Sequence, residues 1–217
     1  PPRRSTPPSL YTNLVDLTPT QAPVEERGTG GRKSIRGTGI DASVTDCVKS
    51  GKWLRGDIID LIMQEIRARA REGGEDIGCY PYVEYRDDYR KRLTGSRRPP
   101  KWKKQDWAAM PLHVCGNHWV LAIFDGRERA IQYFDPQHNP PPDDLRAALK
   151  RFAQEGEKGE EWEVEAVGGP RQGEEDGSNC GCYVLAFAAY RAEGATPKMD
   201  TRGCETMRRV ISNFIAN

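Results

Sequence analysis

His118-Trp-Val-Leu-Ala-Ile-Phe-Asp-Gly-Arg-Glu-Arg-Ala-Ile-Gln-Tyr-Phe-Asp135 is the stretch on which the fold turns. From Trp119 to Phe124 it is an unbroken apolar run, short enough for a strand buried on both faces. Asp125-Gly126 is a turn signal, and Arg129 to Asp135 leads back as a second strand. The span 119–135 therefore reads as a hairpin at the centre of a sheet. A hairpin returns its last residue beside its first, so His118 and Asp135 meet at one end of that sheet.

Outward from the hairpin, Trp107-Ala-Ala-Met-Pro-Leu-His-Val114 reads as the strand before it. Trp162 to Val167 alternates as a strand after it, and Tyr80 to Tyr89 holds a further short one. Helices flank this β-rich middle. A short one is expected over Asp41–Val48. A longer one follows, with Asp57 as N-cap of the run Ile58 to Ile66 and Gly73-Gly74 as its stop. Asp143-Asp144 cap a helix over Leu145, Leu149 and Phe152. Cys180-Gly181 open a strongly apolar helix through Tyr183 to Tyr190. The last amphipathic helix spans 204–215 through Met207, Val210, Ile211 and Phe214. Helices first, strands in the middle and helices last make an α+β domain over residues 40–217. Residues 1–39 form a Pro/Gly-rich extended arm that cannot build a core of its own.

Composition narrows the class. The net charge of +1 gives no reason to expect nucleic acid as partner. Charge is nevertheless uneven: Arg90 to Lys104 carries eight Lys or Arg and no acid, and Glu155 to Glu165 carries six acids and one Lys. The mean hydropathy of −0.77, with no run near the ~20 apolar residues of a membrane helix, points away from a membrane. Six cysteines scattered through 217 residues do not resemble a disulfide scaffold, so a reducing, intracellular setting is expected. His113, Cys115, His118 and Cys182 match no common zinc spacing. No metal or cofactor is expected.

Only three histidines are present: His113, His118 and His138. Of these, His118 has Asp135 across the hairpin, and an acid there fixes the imidazole tautomer and favours its charged form. Cys180 stands where a Gly-containing loop enters a helix, where free N–H groups and the dipole favour a thiolate. A thiolate beside a His–Asp pair is the layout for nucleophilic acyl transfer. Spacing alone leaves a buried core cysteine and a surface histidine open as the alternative.

His118-Trp119, then Tyr133-Phe134-Asp135, then Asn179-Cys180-Gly181-Cys182-Tyr183-Val184 resemble, in this order, the ubiquitin-like-protein-specific cysteine proteases of clan CE, the SUMO/sentrin-specific protease family. Trp53-Leu54 ahead of Ile58-Ile59 resembles that family's Trp-Leu-Asn-Asp-x-Ile-Ile motif. The likeness spans about residues 40–215. It implies a papain-like-type α+β protease domain, with a central mixed sheet flanked by helices. It also implies Cys180 as nucleophile, His118 as base, Asp135 as orienting acid and Gln172 as oxyanion donor. Trp53, Trp119 and Gly181 would then bind the Gly-Gly tail of a modifier. SUMO is the favoured modifier, with ubiquitin or a Nedd-type protein as alternatives, and the chain would act as a monomer in cytoplasm or nucleus (of a host cell, if a secreted effector). A clan CE acetyltransferase or a silent modifier-binding module are the competing readings. Three departures stand out. Gln172 lies eight residues before Cys180, in a loop about two residues longer than the family's. Asn179 stands where an Asp is usual. Arg55-Gly56 stands where Asn-Asp is usual.

In the arm, Leu14-Val15-Asp16-Leu17 resembles a SUMO-interacting motif, a short apolar strand beside an acid that binds by adding to a sheet edge.

Overall fold

The strands and helices run in the order α1 (Ala42–Cys47), α2 (Gly56–Glu72), β1 (Ile77–Cys79), β2 (Val83–Tyr85), β3 (Trp107–Val114), β4 (His118–Asp125), β5 (Ala130–Phe134), α3 (Asp143–Gly156), β6 (Glu163–Ala166), α4 (Cys180–Ala192) and α5 (Thr201–Ala216). They belong to a computed structural model that describes residues 42–49, 51–85, 107–156 and 161–216. The arm over 1–39, with Leu14 to Leu17, and the basic run Arg90–Lys104 lie outside those residues.

The sheet is mixed and has six strands. Its centre is antiparallel: β3 pairs with β4 from Trp107↔Asp125 to Val114↔His118, and β4 with β5 from Leu121↔Phe134 to Asp125↔Ala130. Parallel strands close both flanks: β1 and β2 pair with successive halves of β3, and β6 with β5.

Alternation along β3 and β4 sends successive side chains to two cores. Trp107, Ala109, Trp119, Leu121 and Ile123 face a core completed by α2, α4 and α5. Ala108, Met110, Leu112, Val120, Ala122 and Phe124 face a second, covered by α3 through Leu145, Leu149 and Phe152. Burial on both faces explains why these strands read as continuous apolar runs. It also makes α4 apolar on every side: from Cys180 to Ala189 all residues are buried, between β4 and α2.

Three boundaries differ from the sequence reading. Helix α2 begins at Gly56, so Asp57 lies in the first turn, paired with Arg55 at 2.7 Å. The ring of Tyr82 covers Gly56 so closely that any side chain there would clash with it, so the helix opens on a glycine. The strand expected within Tyr80–Tyr89 is Val83–Tyr85, and β1 was not foreseen at all. Helix α5 starts three residues earlier than expected, with the Asp200 carboxylate receiving the Gly203 N–H.

Candidate active site

His118, the first residue of β4, and Asp135, one residue past β5, meet as the hairpin requires. His118 Nε2 lies 2.7 Å from Asp135 Oδ1. The same carboxylate accepts the Gln137 backbone N–H at 2.7 Å and a hydrogen bond from the Asn139 side chain. Asp135 is only 4% exposed. Burial alone would push its carboxyl up, but these donors outweigh it and hold the group below its usual range.

Cys180 opens α4 beside the His118 ring and acts on its charge. Asp135 occupies Nε2, which leaves Nδ1 for the sulfur. Burial pulls the imidazole toward its neutral form. The hydrogen bond to Asp135 and the charges of Asp135 and Cys180 win, and the His118 pKa is pushed up to about 9. A histidine that holds its proton beside a cysteine is the electrostatic condition for a thiolate–imidazolium pair.

Gly181 explains how α4 comes so close to α2. A Cβ on it would meet Leu54 Cβ and Ile59 Cδ1 at 3.2 Å each. Gly181 therefore faces the helix contact. Cys182, on the other side of the turn, is fully buried and hydrogen-bonds Cys204 of α5.

The two tryptophans differ. Trp119 is 2% exposed, lies against a tilted His113 ring and an edge-on Tyr82 ring, and donates its indole N–H to the Leu54 carbonyl at 3.0 Å. Trp53 is 49% exposed and donates to the Gly177 carbonyl at 2.6 Å. The ring available to a ligand is thus Trp53, with Trp119 as a wall behind the segment that carries it.

Gln172 is buried at the far end of the loop that leads to Cys180. Its backbone N–H is held by the Pro136 carbonyl at 2.9 Å, next to Asp135. Its Nε2 donates to the Asp176 carbonyl, while its Oε1 is buried with no hydrogen-bond partner. A carboxamide nitrogen carries two N–H groups, so one remains beyond the bond to Asp176.

Sequence reasoning missed Arg208 of α5, a guanidinium only 4% exposed that reaches both the loop before Cys180 and the segment before Trp53. The signal was its place on an apolar stripe, four residues after Cys204 and three before Ile211.

Residues 79–215 match the model of the Ulp1 protease family, C-terminal catalytic domain. The chain is similar to the Ubiquitin-like-specific protease ESD4 of Arabidopsis thaliana, 24% identical over 177 residues. That match covers 71% of this chain and 35% of the relative, so the chain spans about a third of the length of the curated relatives it matches. It is also 25% identical over 149 residues to Deubiquitinase and deneddylase Dub1 of Chlamydia trachomatis serovar L2b, covering 58% of this chain and 36% of Dub1. Among solved structures it resembles the SUMO protease Ulp1 with its catalytic cysteine oxidised to a sulfinic acid. There the TM-score is 0.64 at 25% identity, over 84% of this chain and 85% of that one. The fold is also that of the C-terminal Ulp1 protease domain in complex with Smt3, the yeast ortholog of SUMO, with TM-score 0.61 at 24% identity over 80% of each chain.

Proposed function

Because the chain belongs to the Ulp1 protease family, matched over residues 79–215, we propose that it is a cysteine protease cleaving after the C-terminal Gly-Gly of a ubiquitin-like modifier, and so releasing that modifier from target lysines. The observation that carries this reading is the His118–Asp135 contact of 2.7 Å on a ring whose pKa both Asp135 and Cys180 raise.

In this reading the Cys180 thiolate attacks the carbonyl of the modifier's last glycine, and the C=O electrons move to the oxygen. The oxyanion is received by N–H groups at the start of α4 and by the remaining Gln172 Nε2–H. Protonated His118 donates its proton to the departing lysine amine as the C–N bond breaks, leaving a thioester. Neutral His118 then takes a proton from water, whose oxygen displaces the Cys180 sulfur and frees the modifier's carboxylate. Asp135 keeps the ring in one orientation throughout. Trp53, half-exposed and tied to the loop before Cys180, supplies the flat wall along which only residues without side chains pass.

SUMO is the first candidate modifier, since the Ulp1 structure that the chain resembles is named a SUMO protease and ESD4 a ubiquitin-like-specific protease. The Dub1 likeness makes ubiquitin and a Nedd-type modifier the necessary comparisons. The test is cleavage of three lysine isopeptide conjugates carrying SUMO, ubiquitin or the Nedd-type protein, each compared with Cys180→Ala. A kcat/KM for SUMO at least tenfold above the others supports the full reading. A reversed order moves the modifier assignment, and no cleavage of any conjugate by folded chain overturns the reading. Leu14 to Leu17 would add a second contact to the modifier. Changing Val15 and Leu17 to Ala should weaken binding to SUMO chains in calorimetry, and unchanged affinity would remove that contact.

A further inference from the structure

The loop between Gln172 and Cys180 presents three consecutive carbonyls, and a different side chain takes each one. Gln172 Nε2 donates to that of Asp176, Trp53 Nε1 to that of Gly177 and Arg208 Nη2 to that of Ser178. The captors come from the loop itself, from the segment before α2 and from α5.

Arg208 is the most connected of the three. A guanidinium has five N–H groups, and here each has its own acceptor. Nε donates to Asn179 Oδ1 at 2.8 Å, and Nη1 to the carbonyls of Cys47 and Lys49 at 3.2 and 2.9 Å. Nη2 donates to the carbonyls of Lys52 and Ser178 at 2.6 and 3.0 Å. One buried side chain thus fastens residues 47–52, which run into Trp53, to residues 178–179, which run into Cys180.

None of the five acceptors is a carboxylate, although a buried cation needs a compensating charge. The charge sits one residue further on. Asn179 takes Arg208 on its Oδ1 and donates from Nδ2 to Asp176 Oδ2 at 3.0 Å. The other Asp176 oxygen accepts the backbone N–H of Asn179 at 3.1 Å and of Ser178 at 3.4 Å. Asn179 is the residue before the helix that Cys180 opens, and it makes no side-chain cap bond to that helix. Both ends of its amide instead bridge a cation to an anion.

We propose that Arg208 is a positioning residue for the reaction, setting Cys180 against His118 through this relayed ion pair, Arg208–Asn179–Asp176. The inference rests on the reading of Cys180 and His118 given above and adds residues to it. The relay makes a specific demand. Position 179 must present an oxygen to Arg208 and a donor to position 176, or else both polarities must be exchanged together. Asn179→Asp alone sets two carboxylates face to face. Asn179→Asp with Asp176→Asn restores the complement, because the new amide donates to the new carboxylate and keeps an oxygen for the two backbone N–H groups.

The test uses the full chain carrying Cys115→Ser, which removes an exposed thiol. Its variants are Arg208→Lys, Asn179→Asp and the double exchange. Two quantities are read: kcat and KM on the preferred conjugate, and the rate at which iodoacetamide alkylates Cys180, located by peptide mass spectrometry. A lysine cannot reach acceptors on both sides of a planar fork. Displacing a reacting group on the ångström scale costs roughly 10- to 100-fold. Arg208→Lys and Asn179→Asp are therefore expected to lose that much in kcat, with KM within about twofold and Cys180 alkylation slowed in parallel. The double exchange should return to within about threefold of the parent. If Arg208→Lys does not fold, the single and double exchanges decide. Parent-like kcat and alkylation in a folded Arg208→Lys or Asn179→Asp, or a double exchange no better than the single, would overturn the proposal. Because alkylation needs no modifier, it tests the relay even where every conjugate fails, a result that would count against the protease reading instead.

Discussion

Two regions meet at Cys180, and they are built in opposite ways. On one side stands the end of the β4–β5 hairpin, where His118 and Asp135 are brought together by a ladder of backbone pairs. On the other stands the loop from Gln172 to Asn179, whose carbonyls are held by side chains from the loop, from before α2 and from α5. The hairpin is local in sequence and needs little help. The loop is fixed only when distant elements have already packed. Errors in the hairpin's site residues should therefore remove chemistry and leave the fold, whereas errors around the loop should disturb chemistry and stability together.

The largest separation should come from Asp135→Asn. It keeps the shape of the hairpin end but takes away the charge that holds the His118 proton. A loss of roughly 10²- to 10⁴-fold in kcat/KM is expected, with little change in melting temperature above pH 9, where the His118 proton no longer contributes to stability. The pH profile carries the sign. His118 must be protonated to serve as the acid, and its pKa is about 9, so wild-type activity should fall on the alkaline side near that value. In Asp135→Asn that limb should move to lower pH. An unmoved limb would mean that another group sets it.

Gly181→Val comes next and tests the loop side. Its Cβ must enter a space where Leu54 and Ile59 already lie 3.2 Å away. Overpacking of this kind costs about 1–3 kcal/mol, and the backbone that shifts is the one carrying Cys180. Melting temperature and kcat should fall together, and a drop in only one would break the coupling claimed for this region.

A smaller effect is expected in the pH dependence of stability. The folded chain holds the His118 proton more tightly than an unfolded one does, its pKa rising from 6.5 to about 9. That contribution is complete below pH 6.5 and is lost as pH rises through 9. The melting temperature of wild type should decline over that window more steeply than that of His118→Gln. Equal slopes would show that the ring does not hold its proton.

The smallest effect belongs to Ile123→Val in the middle of β4, fully buried but away from the site. It should cost about 0.5–1.5 kcal/mol of stability and leave kcat unchanged.

The same contrast explains what could be read in advance. The hairpin was legible because an apolar run, an Asp-Gly turn and a returning strand are all local signals. His118 and Asp135 followed from it, and the start of α4 was visible as a loop running into an apolar helix. Strand β1 was not legible, because Ile77–Cys79 is a strand only by virtue of its parallel pairing with Trp107–Ala109. The start of α2 was misplaced by two residues, because Asp57 carries a strong local N-cap signal and yet lies inside the first turn, paired with Arg55. Arg208 was not singled out among the residues of the last helix. Nothing local distinguishes a solvated arginine from one that holds two distant segments, except its place on the apolar face of its own helix.

The most direct test of the account is covalent capture of the active thiol. A SUMO protein ending in Gly-Gly with a C-terminal electrophile would be added to the folded chain and the adduct mapped by peptide mass spectrometry. A single adduct on Cys180 is expected, absent in Cys180→Ala and formed more slowly in Asp135→Asn. An adduct on the exposed Cys115, or one that persists in Cys180→Ala, would contradict it.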